Sequence, residues 1–211
     1  LVAAKEFSIG LSNRDFSQFG EQTLLSRHIP KTPGYYLDIG SGRPVSGSNT
    51  FFLYRQGWTG ILVDPIKSNI TASRIVRKRD VHFNLLVGNL ERQNFFEFFP
   101  YEYSTTSSEI AADLALKKNV ELVSSYELEA KSADYFYKLL PSDCFIVVNI
   151  DAEGADYEVL QSLDLQQNRP NIILIEDWDY SPENETSIEK FITNFGYKLL
   201  ARAGLTSIYK I

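Results

Sequence analysis

The sequence predicts an α/β fold, a doubly wound and mostly parallel sheet with helices on both faces, and three observations predict it. Short, near-continuous apolar runs at 35–39 (YYLDI), 60–64 (GILVD), 144–151 (CFIVVNID) and 171–176 (NIILIE) alternate with amphipathic stretches. Strands buried on both faces and joined by right-handed helical crossovers leave that pattern. The first run ends in a glycine-rich loop, GSGRPVSGSN, where an open α/β sheet binds its ligand. The last two strand-like runs, 197–202 and 205–210, are separated only by Ala203 and Gly204. That connection is too short for a parallel crossover, so the last strand must be antiparallel.

Taken in order, residues 1–34 read as a helical extension. Ser17 caps a short helix carrying Phe19, Leu24 and Leu25, and Pro30, Pro33 and Gly34 end it. Beyond the glycine loop, Ser48 or Asn49 caps a helix that runs to Gly57. A basic amphipathic helix near 67–79 and a strand near 81–87 follow the 60–64 strand. The segment 88–140 is less regular: NFFEFFPYEYSTTSS and a polar helical stretch are expected to form an added strand, a mobile loop and a helix leading into the strand at 144–151. Helices near 155–163 and 184–195 precede the 171–176 strand and the terminal hairpin. No repeat, low-complexity tract or Pro/Gly/Ser-rich linker divides the chain, so 1–211 reads as one domain.

Composition excludes several classes. With 44% hydrophobic, 13% aromatic and 23% charged residues in 211, the chain can bury a sizeable core. A balance of 21 Lys+Arg against 27 Asp+Glu, net −6, opposes a nucleic-acid footprint. The single Cys144 cannot form an internal disulfide, which makes a reducing cytoplasm the default compartment. No apolar run approaches the roughly 18 residues of a membrane span. Lys5 and Glu6 fall where a signal peptide needs its apolar stretch. The chain opens on Leu1 and has no methionine, so an upstream anchor or targeting segment would lie outside the sequence given.

The glycine loop, Asp38-Ile39-Gly40-Ser41-Gly42-Arg43-Pro44, departs from a nicotinamide fingerprint: Val45 stands where the third glycine belongs, and Pro44 postpones the helix that would hold a pyrophosphate. A carboxylate at Asp38 repels a pyrophosphate but attracts the ammonium of a methionine moiety. Asp64, 24 residues after Gly40 at the end of the second strand, is placed to accept both hydroxyls of a ribose. The bland alternatives are a tight turn at Gly40 and Gly42 and an ordinary turn aspartate before Pro65. Charge and the terminal hairpin favour S-adenosylmethionine over a dinucleotide.

These residues resemble the FkbM-like S-adenosylmethionine-dependent methyltransferases. The resemblance rests on SQFGEQ at 17–22, LDIGSGRP at 37–44, SNT at 48–50, GWTGILVDP at 57–65, IDAEGADYEVL at 150–160 and RPNIILIE at 169–176. It implies a Rossmann-like class I methyltransferase fold of seven strands, order 3-2-1-4-5-7-6. It also implies methyl transfer to a hydroxyl oxygen, often of a sugar or other small metabolite. Cofactor binding carries over to Asp38, Gly40 and Asp64, with Ser41, Gly42 and Asn49 in the same matched segments. The match is loose over 88–140, the part that shapes an acceptor pocket, and Gln22 stands where the family has an acidic residue more often.

Transfer to a hydroxyl needs a base beside the acceptor. Asp151 and Glu153, at the carboxyl end of the 144–151 strand, are the candidates; the alternative is that they cap the helix that follows. With Glu176 they also suit a hard cation such as Mg²⁺. His28 and His82 lie away from this edge and read as structural, Cys144 as a small apolar residue, and Trp58 as packing. Trp178 reads as core or pocket wall. Arg74, Arg77, Lys78 and Arg79 read as a solvated helix face, and Tyr101, Tyr103, Ser104, Thr105 and Thr106 as a lid or a surface loop. Two other functions compete: a non-catalytic scaffold and a nicotinamide-dependent oxidoreductase.

Overall fold

The computed structural model describes residues 2–12 and 15–211. Helix α1 (Val2–Ser12) and the short α2 (Glu21–Leu25) precede β1 (Tyr35–Ile39), α3 (Phe51–Arg55), β2 (Thr59–Val63), α4 (Lys67–Val76) and β3 (Val81–Phe83). A middle segment follows, made of β4 (Leu86–Val87), β5 (Arg92–Phe99), α5 (Ser108–Leu114), β6 (Glu121–Lys131) and α6 (Ala133–Tyr137). The chain then returns through β7 (Ile146–Ile150), α7 (Asp156–Gln161), β8 (Ile172–Glu176), α8 (Ser187–Asn194), β9 (Lys198–Ala203) and β10 (Thr206–Lys210).

The main sheet runs β3-β2-β1-β7-β8-β10-β9. With β4 to β6 set aside, this is the order 3-2-1-4-5-7-6. Strands β1, β2, β3, β7 and β8 pair in parallel, while β10 is antiparallel to both β8 and β9. The terminal hairpin is thus as expected, because β9 and β10 are joined only through Gly204 and Leu205. Helices cover both faces. On one, Leu37, Ile39, Val148, Ile150, Ile173 and Ile175 pack against α7 and α8 residues such as Val159, Leu160 and Ile192. On the other, Tyr36, Leu62, Val147 and Leu174 pack with Phe51, Phe52, Leu53 and Trp58.

Strand alternation decides where each β1 side chain goes. Leu37 and Ile39 enter the first core and Tyr36 the second. Asp38 therefore shares the face of Tyr36, under α3 and α4.

Several elements differ from the sequence reading. The second helix starts at Glu21, with Gly20 at its N-cap, so Phe19 lies outside it and is 54% exposed. Ser17 still serves the turn, since its Oγ accepts from Gln22 N at 3.2 Å. Thr50 rather than Ser48 or Asn49 is the N-cap position of α3, although Ser48 Oγ accepts from Phe51 N at 3.1 Å. The run at 81–87 is two strands in different sheets. The middle segment is more regular than its composition suggested: β5 and β6 form a long antiparallel pair from Arg92↔Glu129 to Phe99↔Glu121, with a bulge after Glu97, and β4 pairs in parallel with β6. No helix among the described residues is long and apolar enough to cross a membrane.

Candidate functional site

A cleft of about 1000 Å³, open to solvent, lies at the carboxyl ends of β1, β2 and β7. This is where crossover loops diverge in a doubly wound sheet. The glycine loop forms its floor. Gly40 N and Ser41 N donate to Val63 O at 2.9 and 3.2 Å, tying the end of β1 to the end of β2. Gly40 has φ +68°, and a Cβ there would stand 1.7 Å from the carbonyl oxygen of Asp151. Only glycine lets the β1 and β7 loops approach so closely. Gly42, at φ +55°, faces open space, with no atom nearer than 4.0 Å to the position of a Cβ.

Asp64 joins this loop to the start of α4. Its Oδ2 accepts from Gly42 N at 2.8 Å, and its Oδ1 accepts from Ile66 N at 2.8 Å and Asn69 Nδ2 at 3.2 Å. The residue is 4% exposed. Burial pushes its carboxyl up to about 7 against the pull of those donors. Ser41 lines the same cleft, and its buried Oγ has no hydrogen-bond partner.

Asp38 and Asn49 lie outside the cleft lining. Asp38 was expected at the mouth of the loop; it is 1% exposed and lies beneath it, as strand parity requires. It accepts from Thr50 Oγ1 and from Asn149 Nδ2 at 2.9 Å, and faces Arg77 Nη1 at 3.7 Å. Asn49 Nδ2 donates to Asn149 Oδ1 at 3.1 Å. Arg77 corrects the reading of the basic cluster. Arg74, Lys78 and Arg79 are exposed, but Arg77, just past the end of α4, is completely buried. Its Nε meets Asp80 Oδ2 at 2.8 Å, and its other nitrogens donate to Ser48 Oγ and Thr50 Oγ1 at 3.3 and 2.9 Å. Burial works against its charge, yet Tyr36, Asp80 and Asp38 more than offset this and hold the guanidinium above its ordinary range.

Asp151 and Glu153 do reach the cleft. They meet Glu176, so that one carboxylate oxygen from each of the three lies within 4.8 Å of the others. Burial first, and the neighbouring carboxylates after it, push Glu153 up to about 8 and Asp151 well above the usual range. Neither residue caps α7, whose N-cap, Ala155, makes no side-chain cap bond. The turn is held instead by Asp156, which accepts from Ala152 N at 2.7 Å and Gly154 N at 3.1 Å.

The middle segment builds the opposite wall with Gln93, Phe95, Tyr101, Ser104, Thr105 and Thr106. Ser104 and Thr105 are pinned rather than loose: Ser104 Oγ accepts from Phe98 N at 3.1 Å, and Thr105 exchanges backbone bonds with Phe96. Tyr101, pushed up to about 12 by burial, lies under the Arg43 guanidinium, 5.2 Å from the ring centre. His82 is on β3, away from the cleft, and burial lowers it. Trp58 is core, whereas Trp178 is 62% exposed and donates to Glu176 Oε2 at 2.8 Å. Cys144 is only partly buried and packs beside the core.

Among the described residues, none of Asp64, Asp151, Glu153 and Glu176 has an ion-pair partner. The cleft therefore gathers acidic groups without a paired cation; burial raises them toward their neutral form, and a cationic ligand would favour their charged form where a pyrophosphate would oppose it. The family profile "Methyltransferase FkbM domain" matches residues 38–199. The chain belongs to the FkbM methyltransferase family. No curated protein matches the sequence. Among solved structures, a TehB-like SAM-dependent methyltransferase from Corynebacterium glutamicum ATCC 13032 Kitasato is similar at 13% identity, with 99% of this chain and 95% of that chain covered and a TM-score of 0.43.

Membership in the FkbM family implies S-adenosylmethionine as methyl donor, and the cleft fits it. An unpartnered hydroxyl at Ser41 and the Asp64 carboxylate, which already accepts from Gly42, Ile66 and Asn69, would be the polar partners of a nucleoside and its amino-acid tail, with open space over Gly42 to admit them. Buried residues around this site that escaped the sequence reading include Arg77, Asp156 and Glu21. Glu21 accepts from Phe19 N at 2.8 Å and Thr206 Oγ1 at 3.1 Å, whereas Gln22 accepts from Phe16 N at 3.1 Å. The acidic position that matters locally is thus 21. Its signal was a glutamate directly after a turn glycine, at the first residue of a helix.

Proposed function

We propose that this FkbM-family protein transfers the methyl group of S-adenosylmethionine to a hydroxyl oxygen of a sugar or another small metabolite. The observation that carries this reading is the juxtaposition, in one cleft, of the glycine loop, Asp64 and the Asp151 and Glu153 carboxylates. When bound, the cofactor supplies a methyl group on a positively charged sulfur that leaves as a neutral thioether. Gly40, Ser41, Gly42 and Asp64 hold it; Asp38 and Asn49 act through Thr50, Asn149 and Arg77 to fix the loop above them. Asp151 or Glu153 takes the proton that the acceptor hydroxyl loses. A carboxyl raised toward neutrality is a stronger base than an ordinary carboxylate, which is what proton transfer near pH 7 rewards.

Melting the protein with S-adenosylmethionine, its demethylated product or NAD tests the reading. A ligand at 100 times its Kd adds about 2.7 kcal/mol, or roughly 5–11 °C for a chain of this size. No shift with the first two refutes it, and a shift with NAD alone favours an oxidoreductase. Asp151→Asn and Glu153→Gln are expected to keep the shift while turnover of a hydroxyl acceptor falls about 10²-fold or more for whichever is the base. Unchanged turnover in both removes the assignment.

A further inference from the structure

The amino-terminal helix lies outside the matched family domain, yet it reaches into the cofactor loop. Glu6, midway along α1, is 1% exposed. Its Oε2 accepts from two consecutive backbone amides of the glycine-rich loop, Ser46 N at 2.7 Å and Val45 N at 3.2 Å. Val45 is fully buried, and the next two residues, Ser46 and Gly47, line the cleft. The helix is seated independently of this clamp. Arg55 Nη1 donates to Gly10 O at 3.2 Å, and Gly10 lies so close to Phe51 that an added Cβ would stand 3.4 Å from its ring. A buried carboxylate needs donors, and among the described residues both donors are loop amides. The far half of the loop has no regular structure of its own between Gly40 and the start of α3 at Phe51. Asn149, Asp38 and Arg77 anchor its end at Ser48, Asn49 and Thr50, and Glu6 anchors Val45 and Ser46 before it.

We propose that Glu6 is a positioning residue for cofactor binding: α1 completes the site by clamping the Val45–Ser46 amides and thereby setting the shape of the loop that Ser46 and Gly47 present to the cleft. This rests on the methyltransferase reading for its ligand, but the clamp itself does not. A loop released from Glu6 samples other arrangements, and the cofactor must then select the competent one, which weakens apparent affinity by the fraction lost.

The full chain is compared with Glu6→Ala, Glu6→Asp and Glu6→Gln. Hydrogen exchange of the Val45 and Ser46 amides in the free protein reads the clamp, and calorimetric titration with S-adenosylmethionine well below Tm reads the consequence. Glu6→Gln keeps an acceptor oxygen in reach and is expected within about threefold of the wild-type Kd. Glu6→Asp, one methylene short, and Glu6→Ala are expected to lose protection at both amides and weaken binding roughly tenfold, a change of about 1.4 kcal/mol. If Glu6→Ala does not fold, Glu6→Asp carries the test with the charge retained. Lost protection with unchanged Kd, or protection unchanged, overturns the proposal. A wild-type protein that does not bind S-adenosylmethionine overturns the functional reading instead, while exchange still reports on the clamp.

Discussion

Asp64 should leave a signature in stability against pH. Its carboxyl titrates near 7 in the folded chain, above its ordinary 3.8, because burial outweighs the three donors that favour its charge. A raised carboxyl binds its proton more tightly in the fold than in the unfolded chain, so its contribution is complete below the unfolded value and is lost as pH rises through the folded one. Integrating proton uptake between pH 5 and 8 gives a loss of about 2.6 kcal/mol from this group, and about 1.4–3.7 kcal/mol if the folded value lies a unit lower or higher. The perturbation is Asp64→Asn. Asparagine does not titrate, so the variant removes this share of the pH slope whatever it costs at any single pH, where its amide nitrogen faces the Gly42 N–H. Urea unfolding of both proteins at pH 5 and pH 8, at constant ionic strength, isolates the share. The other raised carboxyls, Asp38, Asp151, Glu153, Asp156 and Glu176, are present in both proteins and cancel in the comparison. Equal slopes in wild type and variant would refute the burial argument.

Two further substitutions probe the frame of the site. Gly40→Ala is expected to cost more than about 2 kcal/mol in urea unfolding, since the new Cβ would meet the Asp151 carbonyl at 1.7 Å in a left-handed backbone; a loss under 0.5 kcal/mol would mean that the β1 and β7 loops separate freely. Arg77→Leu leaves Asp38 and Asp80 buried without their cation and is expected to cost about 3–5 kcal/mol by the same measurement. Arg77→Lys should recover little, because one ammonium cannot reach Asp80, Ser48 and Thr50 together as the planar fork does.

The sheet was legible because it is written in local patterns. Four apolar runs, the strand near 81–87 and one two-residue connection specify seven strands and the direction of the last. The glycine loop and Asp64 were legible for the same reason, as they follow strands whose ends the sequence marks. Arg77 was not, because its partners Asp38, Ser48 and Thr50 are 27 to 39 positions away. Neighbouring Arg74, Lys78 and Arg79 do point to water. The nearer cue was Asp80, three residues on. Asp38 was assigned to the cleft by its place at the end of a strand, although strand parity already sends Tyr36 and residue 38 to one face and Leu37 and Ile39 to the other. The 92–131 hairpin escaped because β6 carries Glu121, Ser125, Glu127 and Glu129 on exposed positions and has no clean apolar alternation, which reads as a polar helix when no partner strand is recognised.

The acidity of the chain divides into two kinds once it is placed. Asp38 and Asp80 are paired from within by Arg77, in a buried network under the loop that also takes in Tyr36 Oη and Gly60 N through Asp80. Asp64, Asp151, Glu153 and Glu176 have no such partner among the described residues and face or border the cleft. A unit charge about 4 Å away in surroundings of effective dielectric near 20 is worth about 4 kcal/mol, so a cationic occupant would pull these carboxyls toward ionisation. In the proposed reaction the sulfonium loses its charge as the methyl group departs. The attraction that loads the cofactor is then absent from the product, while the proton taken from the acceptor arrives at a carboxyl whose pKa rises again as the positive charge disappears. On that proposal, one arrangement of unpaired carboxylates would favour cofactor entry, proton capture and product release, and each would follow from where the sheet ends its strands.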